Sequence, residues 1–161
     1  MDRRNVIDIA KLIMSIAICL FAGFIGSVFT IPSITTWYAS LQKPSFNPPN
    51  WVFAPVWTIL FVLMGISLFL VWKRWPNKEV KTSLSIFSIQ LVLNVLWSLL
   101  FFELHSPFYA FVDIVILWAA IALTIYYFSK VSRTAGLLLL PYIIWVSFAA
   151  ILNFYIMRLN P

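Results

Sequence analysis

The polar residues best able to take part in chemistry lie in one apolar stretch and share one spacing. Gln90, Asn94 and Ser98 follow one another at four-residue intervals, which places them on one face of a helix. Because the surrounding residues are almost all apolar, this face must point toward protein or water. The polar stripe therefore either forms hydrogen bonds between helices or supplies a polar anchor for a ligand.

Aromatic side chains follow helical spacing in two other stretches. Aromatic walls opposite a polar stripe suit a flat amphipathic ligand, because rings stack on it while a few amides fix its orientation. Ordinary core packing produces the same periodicity, so both interpretations are open at this point. The two sets are Trp57, Phe61, Met64 and Leu68 on one face, and Trp145, Phe148, Ala149 and Leu152 on the other.

The remaining groups that could support catalysis or metal binding are few and isolated. Asp113 is the one acidic residue well inside an apolar stretch, where its carboxyl group either bonds to neighbouring helices or has a functional role. His105 is the only histidine and Cys19 the only cysteine, so we expect neither a metal site nor a disulfide. The sequence contains no hydrolase-like triad or phosphate loop, and it predicts no obligatory cofactor.

The elements that carry these residues are apolar and long enough to cross a bilayer. Hydrophobic residues make up 63% of the 161 positions and charged residues 10%, against roughly 45–50% and 25% in soluble domains. A helical span needs about 20 apolar residues. We predict an all-α membrane protein, a bundle of five transmembrane helices in one domain, 1–161, with a kink at Pro141. The predicted spans are 9–31, 52–73, 82–102, 107–129 and 134–157.

The longest predicted connection, residues 32–51, contains four of the chain's nine prolines. Each proline fixes its own φ and restricts the preceding residue, so the connection is semi-rigid. Residues 36–41 are suited to one or two helical turns. We expect this loop either to cover a ligand pocket as a lid or to anchor at headgroup level through Trp37 and Tyr38.

Basic residues are distributed unevenly between the two predicted sides of the membrane. If the five spans alternate, only Lys43 and Arg158 of the 11 basic residues fall on one side, and the other nine fall on the opposite side. This bias predicts a cytoplasmic amino terminus and a carboxyl terminus outside. The net charge of +6 is then explained by topology and by attraction to anionic lipid, and nucleic-acid binding is not expected.

A continuous signature in the first loop and the second span resembles the translocator protein family, which includes the tryptophan-rich sensory proteins and the peripheral benzodiazepine receptor homologues. The signature WYASLQKPSFNPP begins at Trp37, and WVFAPVWTIL follows from Trp51. Matching positions in the later spans extend the resemblance over essentially the whole chain. These positions are Asn94, Trp97, Ser98, Phe101, Phe102, Asp113, Pro141, Tyr142, Trp145, Phe148, Ala149, Leu152 and Asn153.

The resemblance implies a five-helix bundle of the cell membrane, commonly a homodimer, that binds porphyrins and synthetic isoquinoline or benzodiazepine ligands beneath the first loop. Porphyrin would be a ligand or a substrate, not an obligatory cofactor. The short loops look bacterial or archaeal. The ligand-binding residues that the resemblance implies are Tyr38, Pro48, Trp57, Phe61, Asn94, Trp97, Trp145, Ala149 and Leu152.

Three activities are compatible with this resemblance. The first is tetrapyrrole binding by a transporter or sensor, and the second is light- and oxygen-dependent degradation of porphyrin, with Trp57 and Trp145 as candidate catalytic residues. The third is a stress-regulatory sensor without transport. Leu152, Tyr155 and Arg158 also fit a proposed cholesterol motif, which is a weak pattern.

The charge bias predicts the orientation of the chain in the membrane. A reporter fused after Pro161 should be active outside the cytoplasm, whereas one inserted within residues 76–80 should be active inside, because the flanking lysine and arginine residues resist translocation. Activity of the two fusions in cells measures both positions. The reverse pattern would refute the orientation and leave the five spans untouched.

Overall fold

Five long helical stretches build the whole fold. The computed structural model describes residues 3–161, and within them all regular structure is helical. Each stretch is long and apolar enough to cross a membrane, which confirms the predicted fold class. The helices are α1 (Arg3–Ile34), α2 (Trp37–Ser40), α3 (Asn50–Trp72), α4 (Lys78–Ser98), α5 (Pro107–Val131), α6 (Arg133–Leu138) and α7 (Leu140–Leu159), and a π-helical turn, Leu99–Glu103, extends α4.

Side-chain caps and short turns fix where the middle helices begin. The Asn77 side chain accepts a hydrogen bond from the Glu79 N–H at 3.0 Å and starts α4. Ser106 caps α5 in the same way, and Pro107 occupies the first turn, where its missing N–H is harmless. Because the connections on either side of α4 are short, α3, α4 and α5 must run antiparallel to one another.

The last span is broken near its start, as the position of Pro141 predicts. The helix is interrupted at Leu139, between α6 and α7, and Pro141 lies in the first turn of α7. A proline at this position has no N–H to donate to the carbonyl of Leu137, so a continuous helix would lose that hydrogen bond. The Ser67 hydroxyl donates to the Ala135 carbonyl at 2.7 Å and ties α6 to α3.

The connection between α1 and α3 is shorter than expected at its start, because α1 continues through Pro32 to Ile34. We call residues 35–49 the covering loop. Asn160, just after α7, holds it with two hydrogen bonds: the Gln42 N–H donates to Asn160 Oδ1 at 3.0 Å, and Asn160 Nδ2 donates to the Gln42 carbonyl at 2.9 Å. The loop is therefore fixed to the carboxyl-terminal end of α7.

Glycines bring α1 and α3 into close contact at one end of the bundle. A Cβ atom added at Gly65 would lie 2.6 Å from the Ile16 Cα, and one added at Gly23 would lie 2.6 Å from the Phe61 Cδ2. Ser15 and Cys19, on the same side of α1, are fully buried. The small residues of α1 thus form an internal packing surface between helices.

The approach of α3 to α1 predicts that Gly65 tolerates no side chain. Gly65→Ala should destabilise the protein by about 1–3 kcal/mol, because the new methyl group meets backbone that cannot move aside. Gly26→Ala is the matched control, since its Cβ would lie 3.1 Å from the Ser98 Oγ, a single atom on a small side chain. Thermal unfolding in detergent compares the two. A wild-type midpoint for Gly65→Ala would contradict this account of the packing.

Candidate functional site

A cavity of about 360 Å³ lies inside the bundle, in the half nearest the covering loop. Its walls come from α1, α3, α4 with its π-helical turn, and α7, and Tyr38 of α2 contributes from the loop. Most of the lining is apolar. The volume falls within the roughly 300–1,000 Å³ that is usual for small-molecule sites. The cavity is thus suited to an apolar molecule at membrane depth.

The structure brings eight of the nine proposed ligand-binding residues to this cavity. The exception is Pro48, which is half-buried in the covering loop and whose carbonyl accepts a hydrogen bond from Asn47 Nδ2 at 3.1 Å. The direction in which a loop proline points depends on the path of the loop, which the sequence does not specify. The residues that do line the cavity are Tyr38, Trp57, Phe61, Asn94, Trp97, Trp145, Ala149 and Leu152.

Neighbouring aromatic rings hold the two tryptophans of α3 and α7 in place. The Trp57 ring lies 5.7 Å from the Phe61 ring and 6.3 Å from the Tyr142 ring, centroid to centroid. The Trp145 ring lies 5.4 Å from the Phe148 ring. Such contacts each contribute about 0.5–1.5 kcal/mol beyond burial, so the indoles are rigid parts of the wall.

A chain of hydrogen bonds crosses the bundle behind the cavity. Asn94 Nδ2 donates to the Tyr142 hydroxyl at 2.7 Å, and that hydroxyl donates to Gln90 Oε1 at 2.8 Å. The polar stripe therefore joins α4 to α7, as its hydrogen-bonding interpretation predicts. Asn94 also lines the cavity. The Asn94 amide therefore both links α4 to α7 by a hydrogen bond and faces the space where a ligand would lie.

A second polar connection fixes the tryptophan of α4. Trp97 Nε1 donates to Asn153 Oδ1 at 3.0 Å, and Asn153 Nδ2 donates to the Pro107 carbonyl at 2.8 Å. The Trp97 ring also stacks on Phe101 at 5.2 Å. With its indole N–H already bonded, Trp97 offers a ligand mainly its ring.

Tyr38 closes the loop end of the cavity. Its side chain is 4% exposed, and its hydroxyl donates to Asn47 Oδ1 at 2.7 Å. Burial raises the pKa of Tyr38 to about 12, so the hydroxyl stays protonated and keeps donating at neutral pH. The Lys43 ammonium group lies 4.9 Å from the centroid of the Tyr38 ring and forms a cation–π contact with it.

Part of the cavity wall comes from α1, although none of the ligand-binding residues predicted from the sequence lies on this helix. Gly23, Gly26, Ser27 and Thr30 all line the cavity. The sequence contains a signal for them, since small residues at helical spacing leave room beside a helix. The pattern alone does not locate the cavity, because Gly23 and Gly26 also suit close contact between helices.

Two isolated residues that the sequence offers for chemistry, Asp113 and His105, lie away from the cavity. Asp113 is buried on α5, and its Oδ2 has no hydrogen-bond partner among residues 3–161. His105 is exposed in the turn after α4, where its ring stacks on Trp37 at 4.4 Å. Within the described part of the chain, no three His, Cys, Asp or Glu side chains come together as metal ligands. The site is therefore built from aromatic rings, amides and hydroxyl groups.

The three residues of the proposed cholesterol motif do not share a surface. Leu152 is buried and lines the cavity, while Tyr155 and Arg158 are exposed. The Tyr155 ring contacts the Phe46 ring of the covering loop at 5.3 Å. Leu152 thus faces the cavity while Tyr155 and Arg158 face outward, so the motif is divided between the cavity and the outer surface of the bundle.

Comparisons with known proteins agree with the architecture. The sequence profile described as "TspO/MBR family" matches residues 15–159. The chain is 50% identical over 155 residues to "Tryptophan-rich protein TspO" of Chlorobaculum tepidum, covering 96% of this chain and 98% of that one. It is 49% identical over 155 residues to the protein of the same name from Archaeoglobus fulgidus, covering 95% and 99%. It is 40% identical over 134 residues to "Translocator protein" of Ovis aries, covering 82% and 79%.

Proposed function

This chain belongs to the TspO/MBR family, and from that premise we propose that its cavity binds tetrapyrroles of the protoporphyrin IX or haem type and other flat hydrophobic molecules, as part of a transporter or sensor. One observation carries the proposal: Trp57, Trp97 and Trp145 lie on the wall of one cavity together with the Asn94 amide. A planar macrocycle needs broad ring surfaces for stacking and a few polar groups for orientation.

The binding step follows from the chemistry of the wall. Apolar lining replaces the lipid or water around a ligand at little polar cost, and the indoles of Trp57 and Trp145 offer large surfaces already held in position. Asn94 donates one N–H to the Tyr142 hydroxyl, so its carbonyl oxygen and its second N–H can still bond to a ligand. Rigid walls lower the entropic cost of binding, because few side chains must be ordered when the ligand arrives.

A second candidate function is the degradation of bound porphyrin by light and oxygen. It is supported by the placement of Trp57 and Trp145 on the cavity wall, where an oxidisable indole would contact an excited macrocycle. Illumination of the bound complex under air separates the two functions. New absorbing products that Trp57→Phe or Trp145→Phe abolish would support degradation, since phenylalanine keeps a ring but is harder to oxidise. Binding without decay supports a transporter or sensor.

The same proposal includes an orientation, with the amino terminus in the cytoplasm and the covering loop outside. Lys73, Arg74, Lys78 and Lys81 are exposed at the connection between α3 and α4, which lies at the end of the bundle opposite the covering loop. Basic residues at one end favour contact with the anionic lipid of the cytoplasmic leaflet. A homodimer would form through the outer apolar faces of the helices, because the small residues of α1 are used inside the bundle.

Stacking predicts that two tryptophans supply much of the affinity. Trp57→Ala and Trp145→Ala should each weaken the binding of protoporphyrin IX by at least about 1 kcal/mol, because each change removes a large ring surface. The dissociation constant in detergent measures the effect. Trp75→Ala is the matched control, since Trp75 is exposed in the turn after α3. Equal affinity in the wild type and both cavity variants would mean that the ligand binds elsewhere.

A further inference from the structure

We propose that ligands enter the cavity sideways from the bilayer, through an opening between α1 and α3, and not through the covering loop. We call this opening the slot. The inference rests on the proposed function, because it concerns how a porphyrin or a similar molecule reaches that site. It also defines the ligand class more narrowly, as molecules that are already dissolved in the membrane.

Exposure of the lining residues locates the slot. Every cavity-lining residue that is exposed belongs to α1 or α3, and the lining residues of α2, α4, its π-helical turn and α7 are buried or half-buried. On α1, Phe24 is 62% exposed and Ile31 is 67% exposed although both line the cavity. A residue can do both only at the rim of an opening. The exposed lining residues are Leu20, Phe24 and Ile31 on α1, and Asn50, Ala54 and Thr58 on α3.

The packing of α1 against α3 explains why the slot exists at this end only. Near Gly65 the two helices are so close that a Cβ atom would meet the Ile16 backbone, so they are in contact at the end away from the covering loop. Toward the covering loop the helices are joined by residues 35–49, which span the distance between their ends. On α3 the residues that border the slot include Ala54 and Thr58. Their side chains are small, so they do not fill the opening between the two helices.

No polar contact closes the slot. The Thr58 hydroxyl donates to the Ala54 carbonyl at 2.8 Å, and the Ser27 hydroxyl donates to the Phe24 carbonyl at 2.7 Å, so each is satisfied within its own helix. Among residues 3–161, no side-chain hydrogen bond joins α1 to α3. Separating the slot edges slightly therefore breaks only dispersion contacts, and lipid chains can replace these.

The covering loop, by contrast, is held by several specific contacts. Asn160 forms two hydrogen bonds with the Gln42 backbone, and the Phe46 ring packs edge-on against Tyr155 and Phe148 at 5.3 and 6.3 Å. Tyr38, within this loop, is nearly fully buried. Passage of a rigid macrocycle through this loop would require breaking these contacts together. The slot is the route that leaves them intact.

Narrowing the slot tests the route through the kinetics of binding. Ala54→Trp places a large ring at the rim, and it should slow both the association and the dissociation of protoporphyrin IX several-fold, by a larger factor than any change in the dissociation constant. A change in the barrier acts on both directions equally. The protein is reconstituted in lipid nanodiscs, and the absorbance of the porphyrin follows its transfer from vesicles. Ala119→Trp, on the exposed side of α5 outside the cavity lining, is the control for adding the same bulk.

Two further variants make the result independent of the folding of Ala54→Trp. Phe24→Ala widens the slot from the α1 side and should speed both rate constants, whereas Asn160→Ala frees the covering loop and should leave them unchanged. Faster exchange in Asn160→Ala, with unchanged rates in both slot variants, would show entry beneath the loop and overturn the inference alone. Absence of saturable binding by the wild type would overturn the proposed function and, with it, this inference.

Discussion

Hydrocarbon offers no water to a buried polar group, and the hydrogen bonds from Asn94 to Tyr142 and from Tyr142 to Gln90 meet this constraint for these three residues. Because these groups find partners only when the Tyr142 side chain of α7 reaches the polar stripe of α4, the hydrogen bonds fix how the two helices face each other. Tyr142 in turn packs against the Trp57 ring, at 6.3 Å between centroids. The position of one cavity wall thus follows from the satisfaction of two amides and one hydroxyl.

The cavity also depends on a contrast in side-chain size along α1 and α3. Gly65 allows the two helices to meet at one end, where even a methyl group would collide with the Ile16 backbone. The covering loop separates them at the other end, and the space left there is lined by large rings that cannot fill it completely. Close packing and an open volume are therefore consequences of the same pair of helices.

Much of the fold follows from the sequence, because the apolar content leaves the chain few alternatives. Long apolar stretches locate the five spans, and Pro141 locates the break in the last one, since proline cannot complete a helical hydrogen-bond ladder. The aromatic faces of α3 and α7 and the stripe on α4 are visible as helical periodicity. The period shows which residues share a face, and the need to bury polar groups shows that the stripe points inward.

The remaining features depend on tertiary geometry that periodicity does not encode. The contribution of α1 to the cavity arises from how it crosses α3, and a glycine such as Gly23 is compatible with either a close helix contact or a cavity beside the helix. The orientation of Pro48 depends on the path of the covering loop, and the π-helical turn Leu99–Glu103 has no distinct sequence signal. Tyr155 and Arg158 fit a motif by spacing, although they are exposed on the outer surface and Leu152 faces the cavity.

The central claim is that one apolar cavity inside the bundle binds a planar tetrapyrrole. The most direct measurement is a spectral titration of the wild-type protein in detergent with protoporphyrin IX, corrected with protein-free micelles. The account predicts a shift in the porphyrin spectrum that saturates at one ligand per chain, together with quenching of tryptophan fluorescence. A signal that rises without saturation and matches partition into empty micelles would contradict it.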